Sequence, residues 1–137
     1  MAVQFGTDDW IKALMTEVNN DEAYRTAAKD WEGDFCFVVE RGQGVPEPIY
    51  MYMDLWHGEC REAYKVADPA SKDPAFVMNA PMGTWRKVFD KKLDPIRGLM
   101  SRQLKLKGNM MKVMKAPKAA IALVECCTRI ETEYPAS

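Results

Sequence analysis

His57, the one histidine of the chain, stands among Asp54, Glu59 and Cys60. These are the residue types from which an imidazole–thiol or imidazole–carboxylate pair is built. Their spacing does not build one. Residues two apart share a strand face, and Asp54 and His57 are an odd number apart. His57-Gly58 reads as a turn, and no set of nucleophile, base and orienting group emerges. The four cysteines, Cys36, Cys60, Cys126 and Cys127, contain no C-x-x-C pair, and no histidine lies at metal-site spacing from them. Cys126 and Cys127 are adjacent, so on a helix they point to different faces and suit neither a disulfide nor a shared metal. They read as reduced, packed thiols. Gly42-x-Gly44 lacks a third glycine and runs into Pro46, which excludes a phosphate-cradling loop. Asp8-Asp9 and Asp21-Glu22 belong at helix starts, where the dipole favours anions. The expectation is a chain with no catalytic residue, no metal and no cofactor, hence not an enzyme.

The remaining chemistry-bearing residues are cations and thioethers. Lys105, Lys107, Lys112, Lys115 and Lys118 form a local basic cluster. It is either a solvated face or a patch that meets an anionic membrane surface, or the phosphate of a CoA-type ligand, during transient contact. Over the whole chain 19 basic residues face 20 acidic ones, which argues against a nucleic-acid binder driven by phosphate neutralisation. Met110, Met111 and Met114 stud the same stretch, and unbranched thioethers suit a surface that accepts variable apolar shapes. No apolar run approaches the ~20 residues that span a bilayer. The opening MAVQFGTDDW has no basic start and no apolar run, and the chain closes on Pro135-Ala136-Ser137 rather than Ser-Lys-Leu. A cytoplasmic protein is expected, with residues 1–137 forming one domain.

The elements that must position these residues follow from periodicity. Thr7 can cap a helix whose apolar stripe is Trp10, Ile11, Leu14, Met15 and Val18. Asn19-Asn20-Asp21 recaps the chain for a second helix carrying Ala23, Tyr24, Ala27, Ala28 and Trp31, ended by Gly33. Phe35–Val39 is apolar on both faces and predicts a central strand. A Gly- and Pro-rich loop over 41–48 leads to a strand with Ile49, Met51, Met53 and Leu55 on one face. The strand over 59–66 carries Glu62 among its apolar residues, which marks an edge. A loop with Pro69 and Pro74 precedes a strand over 75–80. Pro81 opens a helix with Met82, Trp85, Val88 and Phe89 on one side. A short Ile96–Met100 turn, a strand over 103–107, a Gly108-Asn109 turn and a Met-rich helix follow. The last helix is expected from Pro117 to about Glu133, with Ala120, Leu123, Val124, Cys127, Ile130 and Tyr134 in one stripe. The fold class is α+β: a five-stranded, mainly antiparallel sheet covered on one face by helices, two of them N-terminal and one C-terminal.

The succession Trp85…Phe89…Leu93-Asp94-Pro95…Met100…Gly108-Asn109-Met110-Met111 resembles the C-terminal half of the sterol carrier protein domain, the non-specific lipid-transfer family. The upstream pattern fits as well, so the resemblance covers nearly the whole chain. It implies a sterol, fatty acid or fatty acyl-CoA held in a tunnel between sheet and helices, with the C-terminal helix as part of the wall. Carried over position by position, it implicates Trp85, Phe89, Met100, Leu104, Met110, Met114, Ile121 and Val124 as ligand-binding residues. The partner is then a hydrophobic small molecule or lipid. The alternative is a non-catalytic module that docks on a metabolic enzyme, or on a second copy to form a homodimer, through an outward stripe of the last helix.

Overall fold

A computed structural model describes residues 2–42 and 44–134; Met1, Gln43 and the C-terminal Pro135-Ala136-Ser137 lie outside the described residues. The chain runs β1 (Val3–Gln4), α1 (Asp8–Asn19), α2 (Glu22–Ala27), β2 (Phe35–Val39), β3 (Ile49–Trp56), β4 (Glu59–Val66) and β5 (Phe76–Ala80). It continues with α3 (Met82–Phe89), α4 (Pro95–Met100), β6 (Lys105–Lys107), α5 (Met110–Met114), α6 (Pro117–Thr128) and β7 (Thr132–Glu133). The α+β architecture is the one expected. Five strands lie in the order β4-β3-β2-β5-β6. Every neighbouring pair is antiparallel except β2 and β5, which run parallel at the centre with Phe35 opposite Phe76. β4 is an edge, as Glu62 indicated.

Local sequence explains most element boundaries. The Thr7 side chain accepts the Trp10 N–H at the start of α1, Asp21 accepts that of Ala23 for α2, and Asp94 accepts those of Ile96 and Arg97 for α4. Asn109 does the same for α5 through the Lys112 N–H. His57 and Gly58 both adopt positive φ, 51° and 83°, the twist that a two-residue hairpin turn requires between β3 and β4. Gly108, at φ 131°, brings its backbone so close that a Cβ there would sit 2.6 Å from the Ala75 carbonyl oxygen.

Three boundaries depart from expectation. Leu104 precedes β6 rather than lying in it: its N–H donates to the Gly98 carbonyl, which closes α4 instead of extending the sheet. The last helix stops at Thr128, with the Arg129 N–H donating to the Cys126 carbonyl and the Ile130 N–H to that of Cys127. Thr132–Glu133 then pairs in parallel with Val3–Gln4 as a separate two-stranded ribbon. No glycine or proline marks that stop. It is made by a distant residue, the Trp10 indole, which donates to Thr132 Oγ1 at 3.0 Å. Finally, Gly33 does not end α2, which closes at Ala28 and passes through a turn before Trp31.

Because β4 and β5 lie on opposite sides of the β3–β2 pair, the segment 67–75 crosses the sheet face away from the helices. Lys72 stands over the Tyr52 and Tyr64 rings, and the Ala75 N–H donates to Asp34 Oδ1 at 2.7 Å. This cover explains why Cys36, on the face opposite Phe35 and Phe37, is fully buried. On the other face α1 packs across β4 and β3, while α6 packs on all five other helices as an outer layer. The space between α6 and the sheet is therefore bounded by side chains from six or more elements.

Candidate functional site

That space is not filled. It holds a cavity of about 110 Å³. Its floor is the inner sheet face, Phe35 and Phe37 from β2, Met51 and Leu55 from β3, and Met78 from β5. Trp10, Ile11 and Leu14 of α1 and Trp85, Val88 and Phe89 of α3 form two sides. The roof is Val113, Ala116, Ala119, Ala120, Leu123, Val124 and Cys127 of α5, α6 and the link between them. The roof runs to alanines where the floor runs to aromatics, and small side chains on one wall leave the gap that large ones on the other do not close.

Two aromatic clusters flank the void. Trp31, Phe35, Phe37 and Phe76 stack with centroids 4.9–5.8 Å apart. Phe5, Trp10, Phe89 and Tyr134 pack mostly edge-to-face or tilted at 4.7–5.9 Å. Trp85 touches both, at 6.0 Å from Phe37 and 6.2 Å from Phe89. These rings are stiff and bury large areas, so they set the cavity shape.

The wall carries no charged residue. Its indole donors are already engaged: the N–H of Trp31 donates to the Gly33 carbonyl at 2.9 Å, and that of Trp85 to Val38 at 3.0 Å. The third, on Trp10, is spent on Thr132. Burial pushes the Tyr24 phenol and the Cys127 thiol up, so both stay neutral. A cavity so lined attracts apolar matter and gives water few partners.

No reactive constellation lies elsewhere among the described residues. His57 Nε2 meets Glu32 Oε2 at 2.6 Å, half exposed, with no nucleophile beside it. Asp54 is taken by a bidentate contact from Arg61, at 2.9 and 3.1 Å. Cys60 and Cys126 are buried, and desolvation pushes each thiol up to about 12. No group of histidine, cysteine and carboxylate side chains among the described residues could hold a metal.

Comparison with known proteins converges on one family. The model of the SCP-2 sterol transfer family matches residues 11–120. The fold superposes on a crystal structure of sterol carrier protein 2 with a TM-score of 0.82 and 32% identity, covering 93% of this chain and 99% of that one. The chain belongs to the SCP-2 sterol transfer family. A conserved hypothetical protein from Thermus thermophilus, described as possibly a sterol carrier protein, is similar at 31% identity and TM-score 0.81, over 97% of this chain and 94% of that one. Sterol carrier protein 2 from Yarrowia lipolytica, in its apo form, shares the fold at 16% identity and TM-score 0.60, over 86% and 88% of the two chains. No curated protein matches by sequence. Membership in the SCP-2 family supports lipid or sterol binding and transfer.

Of the eight residues implicated by resemblance, Trp85, Phe89, Leu104 and Val124 line the cavity. Met100, Met110, Met114 and Ile121 do not. Met100, Met110 and Ile121 are exposed and Met114 is half-buried. The reason is helical phase. In the short helices α4 and α5 the inward positions fall to Leu99 and Val113. Ile121 is two residues from both Ala119 and Leu123, about 200° around the helix from each. Leu123, expected on an outward docking stripe, faces the cavity instead. Lining residues from the N-terminal half, such as Ile11, Leu14, Phe37 and Met51, were outside that set. Their signal was visible in the apolar faces of the first helix and the central strands.

Proposed function

We propose that this protein binds an aliphatic lipid in the cavity between sheet and α6 and carries it, without catalysis, in the cytoplasm. The observation that carries this reading is a void whose wall is uncharged and whose indole donors are turned to the protein's own backbone and Thr132. Such a site has only burial of apolar surface to offer, at ~25 cal/mol per Å². It favours hydrocarbon in general and distinguishes chain lengths weakly, since one methylene is worth about 0.8 kcal/mol.

The cavity is smaller than the ~150 Å³ engineered cavity that takes up benzene, and well below the ~300–1,000 Å³ of drug-sized sites. It admits a short stretch of acyl chain as it stands. A whole fatty acid requires the roof to yield, and the roof is the part built from the five-residue α5, the link after it and the alanines of α6. A rigid sterol would require a larger displacement than a flexible chain. Displacement of a fluorescent fatty acid by unlabelled palmitate and by cholesterol tests this. Palmitate displacing at micromolar concentration, more effectively than cholesterol, is expected. No displacement by either refutes the carrier role. Native mass spectrometry of freshly purified protein should show a co-purified acyl lipid.

A further inference from the structure

The apolar cavity has a polar neighbour. The segment 31–33 contributes Trp31 to the cavity wall, and Glu32 and Gly33 to an open cleft of about 430 Å³ outside it. Asp34, Tyr52, Asp54, Arg61 and Lys112 also face that cleft. The partition between the two spaces is thin, with the Trp31 indole N–H donating to the Gly33 carbonyl. It has no room for a side chain at Gly33, where a Cβ would sit 2.7 Å from the Phe76 ring that packs against Trp31. Trp31 itself is only half-buried, so it borders both the void and the outside.

One charge stands at this partition. The Lys112 ammonium lies 5.1 Å from the centre of the Trp31 ring and 5.9 Å from that of Phe76, and it donates to the Glu32 carbonyl. The next residue, Val113, is part of the roof, so α5 sends an apolar group into the void and a cation to its rim. Among the described residues, Lys112 is the cation that lies over a ring of the cavity wall. Arg86 lies over Tyr134, which flanks the cavity without lining it. No carboxylate among the described residues pairs with Lys112, and the nearby acids are engaged elsewhere. Glu32 meets His57, Asp54 holds Arg61, and Asp34 accepts the Tyr52 hydroxyl and the Ala75 N–H. The ammonium is left with a backbone carbonyl and two ring faces.

The wall accepts hydrocarbon, but an ionised head cannot follow its chain inside without losing its hydration. Such a head stops at the rim, and a cation there decides which heads bind. We infer that Lys112 receives the head of the bound lipid and selects a carboxylate. The chain lies in the cavity, and the carboxylate takes the Lys112 ammonium from the Glu32 carbonyl in a charge-assisted hydrogen bond. The cleft gives that head room and access to water. A cationic head would meet like charge at the same point, and an alcohol or sterol hydroxyl would gain less. The ligand class is then a single-chain fatty acid. This inference rests on the carrier reading and adds the residue that makes the carrier selective.

The test is titration of the full chain with dodecanoate, dodecanol and dodecyltrimethylammonium at pH 8, where the acid is ionised. One chain then carries three heads. Tryptophan fluorescence reads the binding, because Trp10, Trp31 and Trp85 line the cavity. Dodecanoate should bind most tightly at low salt, and its lead over dodecanol should shrink at high salt. Lys112→Gln keeps an N–H donor for the Glu32 carbonyl and loses the charge. It should bind dodecanoate about fivefold more weakly, the effect of a partly exposed charge pair, and dodecanol as the wild type does. Lys112→Arg should retain dodecanoate binding, and Arg86→Gln, at the other aromatic cluster, should change nothing. Equal affinity of the wild type for acid and alcohol overturns the inference. So does equal loss of both in Lys112→Gln, which would mark a structural role, or tighter binding of the ammonium, which would give the cleft to its carboxylates. Binding of none of the three would sink the carrier reading itself, whereas binding of all three without regard to the head would sink only the role of Lys112.

Discussion

Replacing Ala119 by leucine should make the protein more stable and less able to bind lipid. Ala119 is buried in α6 and lines the cavity roof opposite the aromatic floor. Leucine adds three carbons there, worth about 2.4 kcal/mol if fully buried at about 0.8 kcal/mol each. An independent ceiling comes from the void. At about 24 cal/mol per Å³, a cavity of 110 Å³ represents about 2.6 kcal/mol of unrealised packing. The two figures agree. Imperfect fit and lost rotamer freedom reduce them, so a net gain of about 1 kcal/mol in the lipid-free protein is the expected outcome. Urea unfolding of delipidated wild type and variant measures it as a higher midpoint with unchanged slope. The same samples go into the fatty-acid displacement assay, where affinity should fall at least tenfold because the guest and the new side chain compete for one volume. A variant that is less stable and binds as before would refute the reasoning: the space would then be closed to a leucine and irrelevant to the ligand.

Other expectations concern the frame around the cavity. Asp21 caps α2, accepts the Cys126 thiol at 3.1 Å and faces Arg129 at 3.4 Å. Burial works against its ionisation, yet hydrogen bonds from Cys126 and the Ala23 N–H, with the Arg129 charge, hold its carboxyl below the usual value. A carboxyl lowered in the folded state contributes stability above its unfolded pKa and loses it as pH falls through the folded one. Asp21→Asn should therefore be less stable than wild type at pH 7, with the difference shrinking below about pH 4 in urea titrations across pH. Gly108→Ala places a methyl against the Ala75 carbonyl at a φ that side chains rarely adopt, and should cost about 1–3 kcal/mol by chemical denaturation. All four thiols are buried. Ellman's reagent at pH 8 should label none rapidly in the native protein and all four in denaturant; fast labelling of any one would show an opening that this packing does not contain.

Much of the architecture was readable in the one-dimensional pattern. Thr7, Asp21 and Asn109 announce helix starts through their own side chains, and Glu62 announces an edge. Alternation in β2 and β3 shows which side chains share a face, independent of what lies opposite. The parallel pairing of β2 with β5 is not written in either strand, because it depends on the segment 67–75 crossing the far face. Nor is the end of α6, which a tryptophan some 120 residues away helps to impose through Thr132.

The candidate site divides along the same line. That the inner layer would be built from methionine, aromatic and aliphatic side chains is a property of composition and period, and the chain alone determines it. Which of them bound empty space is a property of volume, and volume arises only when walls from different elements meet. Met110 and Met114 looked suited to a ligand by chemistry, yet a helix of five residues turns only one or two side chains inward, and that place went to Val113. Ala116, Ala119 and Ala120 looked inert, but facing Phe35, Phe37 and Met78 they leave the gap. Tertiary structure decides this because a void has no residue of its own to be read.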